Sequence, residues 1–135
     1  MAATLQALLG FIAWTLLLLV LMEAIRSWLV LSGAEPANGF NPENSNLSPF
    51  MQRLVRAHAN CLEGLPVFGG LMLVAVVADR SAITDPLAWL LLGARVVQSL
   101  IHLVSTSPAA VTARFTAFAV QMAIAVYWVF GLCRS

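Results

Sequence analysis

From about Leu5 to Leu31 the chain is almost unbroken hydrocarbon, and a run of that length leaves few folds open. Roughly 20 apolar residues in a helix span the hydrocarbon core of a bilayer. No water is at hand there for a loose backbone amide, so a crossing segment is either a helix or a strand of a closed barrel. Three further apolar runs follow, over about 49–78, 86–104 and 108–132. With 61% hydrophobic and 10% charged residues in 135, the chain lacks the polar side chains that would clothe a water-soluble domain. The pattern predicts an all-α integral membrane protein, a single four-helix bundle over residues 1–135. Before Leu5 there is no basic region, and no small-residue cleavage site follows the first run, so that run reads as a membrane anchor rather than a removed leader. A short chain of this kind, without targeting signals, fits a bacterial inner membrane.

Punctuation between the runs is clear. Ser32 to Pro49 carries the turn signals Glu35-Pro36, Asn38-Gly39 and Asn41-Pro42 and forms the longest loop. Ser48-Pro49 reads as an N-cap followed by proline in the first helical turn. Pro66, inside the second run, should bend its helix by removing a donor and crowding the preceding turn. Gly64, Gly69 and Gly70 should allow close helix approach. Asp79 to Asp85 reads as a polar turn, with the third helix starting at Pro86, and Ser105 to Ser107 as the turn before the fourth. Tyr127 and Trp128 suit interface anchors. Glu23 and Arg26, three apart, should pair within the first helix.

Net charge is +1, which gives no electrostatic case for nucleic acid. Lysine is absent and all seven basic residues are arginines, which stay charged when buried and fork onto carboxylates. Of the two cysteines, Cys61 and Cys133, neither belongs to a CxxC or metal-type cluster, so no disulfide framework and no metal site is expected. Cys61 reads as a buried inert thiol.

Ionisable residues inside membrane segments are costly and by default functional. The stretch Arg53-Leu-Val-Arg56-Ala-His58-Ala-Asn60-Cys-Leu-Glu63-Gly-Leu-Pro66 concentrates them. At about 100° per residue, Arg53, Arg56, Asn60 and Glu63 fall within an arc of about 80°, with His58 on the opposite side. Arg95, Gln98 and His102 line one face of the third helix, and Arg114 and Gln121 one face of the fourth. Three polar stripes on apolar helices imply a polar cavity inside the bundle, suited to an anionic or zwitterionic small molecule. Two plainer readings stand beside this one: Glu63 paired with an arginine of a neighbouring helix as a structural tie, and Arg114 snorkelling to the interface.

The second-helix motif, together with the helix order, the long first loop and the short chain, resembles the MAPEG family, the membrane-associated proteins of eicosanoid and glutathione metabolism. The resemblance spans essentially the whole chain. It implies a homotrimer with glutathione held between subunits and a lipophilic co-substrate arriving from the membrane lipid. Arg56, Asn60 and Glu63 would contact glutathione with Arg53 beside them and His58 near; Glu63 would take its amino group and the arginines its carboxylates. Arg95 and Gln98 would also belong to the glutathione site. The chain departs from the family at Gln98 and His102, where histidine or tyrosine is usual. It departs further at Ala110, which aligns with the arginine that stabilises the glutathione thiolate, and at Ser32-Gly33-Ala34-Glu35, which replaces a basic cluster. Thiolate activation then falls to Arg114, His102 or Ser107, with Arg114 the preferred substitute.

The expected function is that of a glutathione-dependent membrane transferase or peroxidase. A non-catalytic glutathione- or lipid-binding protein is the alternative. A transporter is disfavoured, because the second-helix stripe ends at Glu63 and leaves Gly64 to Ala78 apolar.

Overall fold

Two of the helices begin where a serine offers an acceptor to their first free amides. The structure, a computed structural model, describes all residues from Met1 to Ser135. Its helices are α1 (Ala3–Leu31), α2 (Pro49–Gly64), α3 (Gly70–Val77), α4 (Ser81–Val104) and α5 (Pro108–Arg134). Ser48 Oγ accepts from the Met51 amide at 3.3 Å and Ser107 Oγ from the Ala110 amide at 3.2 Å, each ahead of a proline in the first turn. The Ser107 hydroxyl is thus a helix cap, exposed and apart from the polar interior.

α1 has no capping side chain of its own. Asp85 supplies one from α4, accepting the Thr4 amide at 2.9 Å and the Thr4 hydroxyl as well, while the Thr84 hydroxyl lies 2.6 Å from that of Thr4. This cluster holds residues 81–85 in helical form, so α4 begins at Ser81 and Pro86 lies inside it, not at its start. The expected turn over Asp79 to Asp85 shrinks to its first residues, where Asp79 takes a positive φ of 58°.

A π-helical turn, Leu65–Gly69, joins α2 to α3, so that Pro49–Val77 forms one span. Pro66 has no amide to donate, and the ladder widens by one residue around it instead of breaking. The close approaches fall at Gly64 and Gly69, where an added Cβ would meet Arg95 and Leu65, but not at Gly70, which faces open space. Gly10, against Leu92 of α4, makes a further one.

The four spans have 29, 29, 24 and 27 residues and are each long and apolar enough to cross a membrane. α4 is central, packing on α1, α2, α3 and α5, whereas α2 and α5 have no Cα atoms within 8 Å of each other. One apolar core joins Phe11, Phe68, Met72, Leu91 and Trp128; a second joins Leu18, Met22, Met51, Leu54 and Cys61. Trp128 is fully buried and is no interface anchor, while Tyr127 beside it is exposed. The long loop is fastened by Asn44, buried at φ 57°, which donates to Met51 O at 2.9 Å and accepts from Arg26. Arg26 also pairs with Glu23 at 3.3 Å, as their spacing predicts, and lies over the Phe40 ring.

Candidate functional site

Because α2 and α5 have no Cα atoms within 8 Å of each other, a cavity opens between them with α4 as its floor. Its volume is about 590 Å³. Its polar lining comes from three helices: Asn60 and Glu63 from α2, Arg95 and Gln98 from α4, Arg114 from α5. Val67, Phe115, Phe118, Met122 and Val126 make the rest apolar, so the aromatic and methionine residues of α5 do more than pack the bundle.

The buried face of α4 changes character along its length, from Ala88 and Leu91 to Arg95, Gln98, Ser99 and His102. Arg95 is 1% exposed and has no acid beside it. Its guanidinium lies 5.5, 5.8 and 5.9 Å from the ring centroids of Phe11, Phe68 and Phe118. Nε and Nη1 have no hydrogen-bond partner. Gly64 makes room for this side chain, since a Cβ there would lie 2.8 Å from Nη2.

Two polar rungs cross from α4 to α5. Arg114 Nη1 lies 3.1 Å from His102 Nε2, and Gln121 Nε2 donates to Gln98 Oε1 at 2.8 Å. On its other side the His102 ring meets Asn60 of α2, with Nδ1 3.3 Å from the amide. Arg114 therefore turns inward and is half-buried instead of snorkelling. Gln121, wholly buried, completes a polar layer whose pairing only the packing reveals.

The other residues of the second-helix motif go elsewhere within the chain. Arg53 Nε donates to Leu103 O at 2.8 Å and ties α2 to the end of α4. Arg56 is exposed and lines a separate hollow of about 260 Å³ with Pro42, Glu43, Ser45 and Gln52. His58 is half-buried, lines neither cavity and forms no hydrogen bond. Cys61 is fully buried against the Ser99 hydroxyl at 3.2 Å. Glu63 forms no ion pair, so the plain structural tie is not made within one chain. It is the fifteenth of the 29 residues in its span and is exposed on the cavity side. No group of three or more His, Cys, Asp or Glu side chains converges as a metal site.

An uncompensated mid-span carboxylate, two guanidiniums and two amides around one cavity suit a small molecule carrying both signs of charge. No curated protein and no solved structure matches the chain. The model of the MAPEG family, which includes glutathione-dependent transferases and peroxidases, does match it, over residues 4–133, and so over all but the tips of the first and last spans; the chain belongs to the MAPEG family.

Proposed function

We propose that the protein is a glutathione-dependent enzyme of the membrane, a transferase or peroxidase acting on lipophilic electrophiles or hydroperoxides. One observation carries the reading: Glu63, unpaired at mid-span, faces a cavity that also holds the guanidiniums of Arg95 and Arg114. Glutathione has an amino group for a carboxylate and two carboxylates for guanidiniums. The unpartnered Nε and Nη1 of Arg95 are donors in need of such acceptors. Asn60 and Gln98 add neutral hydrogen bonds, while Arg53, Arg56 and His58 lie outside this cavity within one chain and would join a glutathione site only across the contact with a neighbouring subunit of a homotrimer.

Bound glutathione supplies a thiol whose deprotonated form is the nucleophile. Arg114 is the group that favours that form, taking the place of the arginine expected at Ala110. The apolar lining, Val67, Phe115, Phe118, Met122 and Val126, suits a lipophilic co-substrate.

The test is glutathione titration of the detergent-solubilised protein, with thiolate absorbance read in the same cuvette. Glu63→Ala should weaken binding at least tenfold, as expected when one partner of a buried charge pair is removed. Arg114→Ala should remove most of the thiolate signal while leaving binding within a few-fold. Absence of binding, or equal binding by Glu63→Ala, would overturn the proposal. Ala110 supports a second reading, a holder of glutathione without chemistry. Binding with no thiolate signal, together with a large gain of conjugation in Ala110→Arg, would select it.

A further inference from the structure

His102 is in contact with a side chain from each of two helices that line the cavity, Asn60 of α2 and Arg114 of α5, which have no Cα atoms within 8 Å of each other. The chemistry of the three groups fixes the arrangement. A guanidinium has donors only, so His102 Nε2 must accept from Arg114. A ring nitrogen that accepts carries no proton, and a neutral imidazole keeps its one proton on the other nitrogen. Nδ1 therefore bears hydrogen and donates, and the Asn60 amide must turn its oxygen to it. Amide oxygen and nitrogen are interchangeable in shape, so this turn costs nothing sterically. An imidazolium is excluded, because it has no lone pair to offer Arg114.

We infer that His102 is a positioning residue: as a neutral, Nδ1-protonated ring it accepts from Arg114 and donates to Asn60, fixing where both present their remaining N–H groups. Arg114 keeps its free N–H groups for the cavity, and Asn60 keeps its –NH₂. The three form one hydrogen-bonded chain across α2, α4 and α5, whose two ends offer donors to the cavity. His102 is 3% exposed and does not itself line the cavity, so it acts through its neighbours and is neither general base nor thiolate partner. The role of Arg114 at the thiol rests on the glutathione reading above; the hydrogen-bonded order of the three side chains does not.

The experiment has two arms. In the first, ¹⁵N-histidine spectra of the full chain in detergent, without glutathione, are assigned by loss of the signal in His102→Gln. A protonated Nδ1 and a bare Nε2 are expected. A proton on Nε2, or on both nitrogens, overturns the inference. In the second arm, thiolate absorbance of bound glutathione is compared between variants. His102→Phe should reduce the thiolate fraction about tenfold, the usual worth of a hydrogen bond to a charged group, with glutathione affinity changed far less. His102→Gln, long enough to accept and donate, should restore most of the signal. Should His102→Phe fail to assemble, His102→Asn carries the same test, its amide being too short to reach both walls. In an Arg114→Ala background His102→Phe should have no further effect on the thiolate. A thiolate lost in Arg114→Ala but kept in His102→Phe and His102→Asn sinks the positioning role alone. A thiolate kept in Arg114→Ala sinks instead the reading of Arg114 on which that role depends.

Discussion

Arg95 is the most demanding side chain in the bundle, because a guanidinium at the centre of a span costs about 2.5–3.5 kcal/mol on insertion scales. No acid offsets it. Three aromatic rings within 5.9 Å offset it, at about 0.5–2 kcal/mol each. The two sums are comparable, which is why Arg95 is tolerated; the donors at Nε and Nη1 remain unspent and are available to an anion. Arg95→Met separates these roles. Methionine has similar length and suits the ring-lined slot. By analogy with buried charges replaced by apolar residues, the variant should be as stable as the parent or more so by about 1–4 kcal/mol. Its glutathione affinity should fall at least tenfold. Thermal unfolding in detergent and a binding titration check the two halves. A destabilised variant that binds normally would make Arg95 a structural residue only.

At the scale of elements, the bundle depends on groups lent by one helix to another. Asp85 caps α1 across 81 positions of sequence. Asp85→Ala should therefore cost about 1–2 kcal/mol, the range for lost helix caps, and should speed hydrogen exchange of the Thr4 amide. Unchanged exchange would mean that the cap is dispensable. The same contact shows what the sequence could and could not tell. Four spans, the cap at Ser48 and the disturbance at Pro66 were legible, because each is set by residues close together in the chain; the cap at Ser107 is as local but reads as a turn. The start of α4 at Ser81 was not, because it rests on Thr4. Periodicity put Arg95, Gln98 and His102 on one face, but helical angles cannot say how far each stripe reaches. Hence Arg53 turns out to bond Leu103 O, and the Gln98–Gln121 rung went unread. The tautomer of His102 became arguable only once both of its neighbours were in place.

For the whole molecule, the exposed polar stripe of α2 bears on how many chains share one bilayer. Glu63 stands at the middle of its span and Arg56 two turns toward its start, both exposed on the same side of the helix. Left to hydrocarbon, each would cost a few kcal/mol. Glutathione in the larger cavity would cover Glu63 but not Arg56, which opens on a separate hollow. A protein surface that seals both does what lipid cannot, and a second copy of this chain is the surface always at hand. The homotrimer proposed from the family resemblance answers that need, placing each chain's polar stripe against a neighbour. Native mass spectrometry from mild detergent should return three chains, with glutathione raising the fraction that survives activation, since a ligand that binds the assembled state stabilises it. Glu63→Ala should keep the trimer but abolish that gain. A protein that stays monomeric at every concentration, with or without glutathione, would leave Arg56 and Glu63 facing lipid, and the assembly proposed here would be wrong.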